Sequence, residues 1–176
     1  MDLSNANLRF ANLSGATLGF SELNGADLSG ANLSGATLTF AKLNGAALGG
    51  ATLSGAVLFR AELIDATLNG ADLSGANLSG AKLNGAWLGT PIPSHSSVVD
   101  PRSGVIENLG GANLSKANLS FANLSGADLF EVDLSGANLS DALISDVKHL
   151  TQTQLDKACG NANTKLPEDL TLKPCG

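Results

Sequence analysis

The chain has 176 residues, 16 of them acidic and 10 basic, for a formal net charge of −6, which offers nucleic acid no basic face. Its 43% hydrophobic content rests on 31 Leu and 25 Ala, with 4% aromatics and no Tyr, whereas a conventional core needs side chains of more varied shape to interdigitate. No run approaches the ~20 apolar residues of a membrane helix, the 21 Gly have no collagen period, and the Leu content argues against disorder.

From the N-terminus the organising period is five. Leu occupies position 3 and every fifth position through Leu88, eighteen times without a miss, and Ala stands two before it in sixteen of these units, Met1 and Ser21 being the exceptions. Five fits neither a helix nor an open strand. Ala and Leu, two apart on an extended segment, point to one side, and the residue between them, often polar as in Asn7, Asp27 and Asp72, points away. Ser-Gly or Asn-Gly then supplies the chemistry of a turn. A short extended piece and a turn, repeated, predict a coil that stacks on itself at the ~4.8 Å spacing of neighbouring strands.

If one coil takes 20 residues, Asp2, Glu22, Lys42, Glu62 and Lys82 stack on one face, and after the first pair their charges alternate in sign. Opposite charges on adjacent rungs contribute ~0.2–1 kcal/mol each. The same arithmetic stacks Phe20 on Phe40, with Phe59 in the next coil and Val57 beside it. All six Phe and Trp87 fall at outward positions, so Phe20, Phe40 and Phe59 form a candidate contact strip for a protein partner or for self-association. The alternative is that the rings cover Gly-rich turns or are scattered surface apolars.

A gap follows. Pro91, Pro93 and Pro101 all lie in it, and no Pro lies inside a repeat, since coil backbones must donate to their neighbours. Segment 91–107 is expected to be a Pro-rich loop insertion. A second block, Leu109 to Leu139, gives seven more units in a frame shifted by one. The pattern then decays through Ala142-Leu143-Ile144. Thr151 and Gln154 form a capping box and Leu150 and Leu155 a hydrophobic staple, predicting a helix over about 152–159 with Gly160 at its stop. The helix and tail are expected to cover the last coil, whose open edge would invite aggregation. The first coil has no such cover, so an upstream segment removed from this chain, or another chain, is expected there.

These residues resemble the pentapeptide-repeat family. The motif Ala-(Asp/Asn)-Leu-x-x, as in Ala31-Asn32-Leu33-Ser34-Gly35, covers 25 units, roughly 125 residues. The resemblance implies an all-β fold, a right-handed quadrilateral β-helix with four units per coil, closed here by a short C-terminal helical cap. The organisation is then 1–90 repeat β-helix, 91–107 insertion, 108–145 resumed β-helix and 146–176 helix and tail.

Cys159 and Cys175 bracket the non-repeat tail and are expected to form a disulfide, closing a loop worth ~3 kcal/mol in the chain-entropy picture. A disulfide favours an extracytoplasmic compartment, the periplasm or the thylakoid lumen, with a signal peptide absent from this chain. Family members in exported, periplasmic or lumenal locations agree with that. His95 and His149 have no Cys or acidic set at metal spacing, Ser94-His95-Ser96 is composition only, and the glycines follow the period of five rather than a phosphate-binding motif. No cofactor, membrane or nucleic-acid contact is expected, and no enzyme activity. The expectation is a non-catalytic interaction or scaffold module. The resemblance also raises a DNA mimic acting on a type II topoisomerase (gyrase), but residues 1–90 carry 6 acids and 4 bases, interleaved and too neutral for a good mimic. Ice binding through stacked Thr-x-Thr is set aside, because only Thr37-Leu38-Thr39 qualifies.

Overall fold

A computed structural model of the chain describes residues 1–89, 98–99, 106–107 and 111–176. Every repeat follows one pattern. The residue between Ala and Leu makes a parallel bridge to its counterpart in the next coil, and the counterpart is 20 residues on: Asp2 to Glu22, Asn7 to Asp27, Asn12 to Asn32, Thr17 to Thr37. Four units therefore complete one coil, and four ladders run up the solenoid. Face 1 carries Asp2, Glu22, Lys42, Glu62 and Lys82; face 2 runs from Asn7 to Trp87; face 3 from Asn12 to Asp72; face 4 from Thr17 to Asn77. Each ladder is one bridge wide, because a turn interrupts the extended backbone every five residues.

Three hydrogen bonds per unit join successive coils. In the first, the Leu3 N–H donates to the Glu22 carbonyl (2.7 Å), the Asn5 N–H to Asn24 (2.9 Å), and the Glu22 N–H back to Met1 (2.9 Å). A fourth bond closes the corner, Ala6 N–H to Leu3 O at 3.0 Å. That corner places the fifth residue of each unit at left-handed φ, the demand of a type II turn on its third position and the reason Gly is its usual occupant. Inside, Leu and Ala are fully buried from Leu23 through Leu88, while Leu3, Leu8, Leu13 and Ala16 of the first coil are partly covered. Each buried Leu contributes ~1.5–3 kcal/mol gross.

Past Trp87 the bridge spacing jumps to 41, as in Asp72 to Asn113, so 21 residues are inserted on top of one coil. The Ala112 N–H donates to the Leu88 carbonyl at 2.7 Å, the bond that closes every other corner. The excursion thus leaves and returns at a single corner between faces 2 and 3, and the order of faces is unbroken. Within it, β1 (Val98–Val99) pairs antiparallel with β2 (Ile106–Glu107). The first described unit after the excursion is Ala112-Asn113-Leu114; Leu109, from which the sequence counts its second block, Pro91, Pro93, Pro101 and His95 lie outside the described residues. At the far end Ala142 and Ile144 are buried and Leu143 bridges Lys165, so the coil runs on through the unit where the motif fades.

Helix α1 (Gln152–Leu155) opens with the capping box, Thr151 Oγ1 accepting from the Gln154 N–H and the Gln154 side chain accepting from the Thr151 N–H. It is shorter than the expected 152–159. Ala158 turns inward and is buried, and Cys159 bridges Asn138 on face 4, so the chain has rejoined the ladder before another helical turn could form. Gln154 Nε2 donates to the carbonyls of Leu129 (2.8 Å) and Val132 (3.0 Å), and Leu155 is buried in the core.

Candidate interaction surface

The corner between faces 4 and 1 is built from the last two residues of every fourth unit. The register is fixed by backbone bonds: Phe20 N–H to Thr39 O (2.9 Å), Phe40 N–H to Phe59 O (3.0 Å), Arg60 N–H to Ser79 O (2.9 Å), Gly80 N–H to Ser120 O (2.8 Å) and Phe121 N–H to Ser140 O (2.9 Å). Phe20 and Phe40 stack with centroids 5.1 Å apart and planes 21° apart, and Phe59 meets Phe40 edge-on at 5.7 Å. The Arg60 guanidinium lies 5.3 Å from the Phe59 ring centre. Phe20 is 72% exposed and Phe121 64%, while Phe59 is half-buried.

Phe20, Phe40 and Phe121 occupy the left-handed position, at φ 57°, 56° and 59°. A left-handed backbone costs a residue with a Cβ ~1–2 kcal/mol, and for a bulky side chain it is an outlier. The conformation belongs to the corner of every unit, and Asn5, Arg60, Asp65, Lys116, Glu131 and Asp141 adopt it as well. Phe10, on the corner between faces 2 and 3, is different: its ring packs over Gly30 and fills the space a Cβ there would need. Shielding of a turn thus accounts for Phe10, but Phe20 lies on another ring and turns its outer face to solvent.

Phe121 is the member the sequence reading missed. It follows the insertion, and 20-residue arithmetic cannot place it without knowing that 21 residues intervene. Phe130 lies on the other corner, edge-on to His149 at 5.7 Å, and His149 Nδ1 is 2.9 Å from Asp128 Oδ1. That His–carboxylate pair stands alone: among the described residues no group of three His, Cys, Asp or Glu is placed to hold a metal ion.

Face 1 flanks the aromatic corner. Lys42 Nζ reaches Glu22 Oε1 at 2.9 Å and Lys82 Nζ reaches Glu62 Oε1 at 2.8 Å, each group still substantially exposed. Amides reinforce the acids, Asn24 Nδ2 donating to Glu22 and Asn44 Nδ2 to Glu62, both at 3.3 Å. The Glu22 carboxylate raises the Lys42 pKa above its ordinary value, and the bond from Lys82, then that from Asn44, holds Glu62 below the usual carboxylate range. On face 2, partial burial pushes Asp27 up, but bonds from the Ser29 hydroxyl and N–H and from Arg9 outweigh it and hold Asp27 low.

At the C-terminal end Cys159 and Cys175 are joined in a disulfide, with Cα atoms 4.8 Å apart. The Gly160 N–H donates to Lys173 O and the Cys175 N–H to Gly160 O, so the tail forms one more rung above face 4. No helix among the described residues is long and apolar enough to cross a membrane.

The solved structure of HetL, a pentapeptide repeat protein involved in heterocyst differentiation regulation from Nostoc sp. strain PCC 7120, is 29% identical, with a TM-score of 0.63 over 91% of this chain and 69% of HetL. QnrB1, a plasmid-mediated fluoroquinolone resistance protein, is 18% identical with a TM-score of 0.65, over 92% of this chain and 79% of its own, a likeness of fold. A pentapeptide repeat protein of the Arabidopsis thaliana thylakoid lumen is 28% identical over 84% of each chain, with a TM-score of 0.36. No curated protein sequence matches the chain significantly. The family described as pentapeptide repeats matches in eight copies over residues 2–39, 38–75, 56–89 and 108–146. The period of five, the four ladders and these matches agree, and the chain belongs to the pentapeptide-repeat family.

Proposed function

We propose that this protein is a non-catalytic interaction module, a right-handed β-solenoid that presents the corner of Phe20, Phe40 and Phe59 to a protein partner or to another copy. One observation carries the reading: Phe20 and Phe40 stack in solvent at backbone positions where Gly would be free of strain. Aromatic side chains are enriched at interfaces and are otherwise a surface liability. In this reading repeats 1–90 and 108–145 form one scaffold, the loop 91–107 is an outgrowth of it, and α1 with the 146–176 tail covers the last coil. The bonds from Gln154 to Leu129 and Val132 and the tail rung at Gly160 support the capping role. The disulfide supports an oxidising, extracytoplasmic location, periplasmic or lumenal.

The alternative, a DNA mimic acting on gyrase, gains nothing from the surface, since face 1 alternates Glu22, Lys42, Glu62 and Lys82 instead of presenting a run of acids. Affinity capture from the native source tests the proposal, with wild-type bait beside bait carrying Phe20→Gly, Phe40→Gly and Phe59→Ser. A partner, or further copies, retained by the first and lost by the second supports it. Equal retention by both removes the corner from the interface.

A further inference from the structure

We propose that a second copy of this chain docks antiparallel on face 1, with the two aromatic corners side by side. This rests on the contact reading of the aromatic corner and commits it to one occupant. The argument is charge complementarity. Up face 1 the successive rungs Glu22, Lys42, Glu62 and Lys82 read acid, base, acid, base. Reversed, the same series reads base, acid, base, acid. A two-fold axis lying across the face, midway between the Lys42 and Glu62 rungs, therefore sets Glu22 opposite the partner's Lys82 and Lys42 opposite the partner's Glu62, and by symmetry the other two pairs. All four charges find opposite partners in this register. Moved by half a rung, the axis opposes like with like, Lys42 to the partner's Lys42, which is costly and so sets the register. The bonds already made within the chain, Lys42 to Glu22 and Lys82 to Glu62, leave these headgroups exposed enough to accept a further neighbour, so the dimer forms a two-row checkerboard.

The same axis leaves each corner on its own side, so the aromatic corner of one copy runs beside that of the other in reverse order. Phe40 then lies opposite the partner's Arg60, which stands beside Phe59 on the same corner, and the exposed ring of Phe20 opposite the partner's Ser79-Gly80 corner, over which Arg60 of that same copy packs. Rings thus meet guanidinium groups at the centre, an arrangement that attracts, and the Phe20 ring meets an Arg60-covered turn at each end. Asp2, the one rung that breaks the alternation, falls opposite the partner's Asn123 and meets no like charge.

The experiment is sedimentation velocity over a concentration series at low and high salt, on three forms of the full chain, each checked by circular dichroism for native melting. Wild type is expected to dimerise, and more weakly in ~1 M salt, where screening acts within ~3 Å. Lys42→Glu with Lys82→Glu makes these four rungs wholly acidic and is expected to raise the dissociation constant at least ~10-fold. The fourfold exchange Glu22→Lys, Lys42→Glu, Glu62→Lys and Lys82→Glu keeps every pair within the chain and the self-complementarity. It is expected to dimerise with itself about as tightly as wild type, at concentrations where the double-substituted chain stays monomeric. Loss of dimerisation in the exchanged chain overturns the proposal, as does a wild-type dimer indifferent to the double substitution. A wild type that stays monomeric but captures another protein through its Phe corner also overturns it, while leaving the interaction-module reading standing.

Discussion

Phe20 and Phe40 lie on one another at 5.1 Å, one coil apart, and both stand at left-handed φ where neighbouring corners carry Gly15, Gly25 or Gly35. Stacked rings contribute ~0.5–1.5 kcal/mol beyond their buried area, against ~1–2 kcal/mol of backbone cost at each residue. Phe20 nevertheless keeps 72% of its surface exposed, an apolar ring left uncovered within the chain. An uncovered aromatic ring at a fixed position suits a contact outside the chain.

The interior leaves no such surplus. Leu53 is fully buried in mid-solenoid. Leu53→Asp forfeits ~1.5–3 kcal/mol of apolar burial and places a carboxylate among apolar neighbours, which costs several kcal/mol more. The expected outcome is an unfolded or insoluble chain by circular dichroism and gel filtration. A soluble variant with unchanged melting would contradict the inward assignment.

Much of this architecture is legible in the sequence because one residue type repeats at one spacing: Leu at every fifth position places the core, and the charges at Glu22, Lys42, Glu62 and Lys82 report the coil length independently. The insertion is harder to read. Leu109 keeps the five-residue spacing, so spacing alone cannot say where the corner closes; the hydrogen bond from Ala112 to Leu88 does. Phe121 joins the aromatic corner only once that register is known. The length of α1 depends on Cys159 pairing with Asn138, a tertiary demand that capping signals at Thr151 do not carry.

The tail offers a second check. Cys159 and Cys175 are bonded 16 residues apart, a loop worth ~3 kcal/mol in the chain-entropy picture. Intact-mass analysis after alkylation without reductant is expected to show no added label, and Cys175→Ser to lower the melting temperature by several degrees. Two labels on the purified chain would remove the argument for an oxidising compartment.

The dependence of stability on pH follows from the shifted groups. Glu62, Asp27 and Asp133 have lowered pKa values in the fold, Asp133 through bonds from the Ser135 hydroxyl and N–H, so their contribution is full above the unfolded carboxylate range and is lost as pH falls through the folded values. Lys42 is raised, so its contribution persists until pH rises past the ordinary lysine range. Melting temperature is expected to be flat from about pH 5 to 10 and to fall below about pH 4. These groups are largely exposed, so the loss is modest and shrinks further in high salt. A stability maximum near pH 3 would contradict the assignment.

On gyrase, a supercoiling assay is expected to show no inhibition at low micromolar protein, because among the described residues no ladder presents a run of acids to imitate a phosphate backbone. Inhibition at that level would reverse the order of the two functional readings.

Thermal melting and molecular mass, measured together on the chain carrying Phe20→Gly, Phe40→Gly and Phe59→Ser, test the interaction reading most directly. Gly relieves left-handed strain at positions 20 and 40, and Ser is the usual residue at the position of Phe59. The account predicts melting within a few degrees of wild type, with association or partner capture abolished. A large fall in melting temperature, with mass and capture unchanged, would show that the rings serve the fold alone and would contradict it.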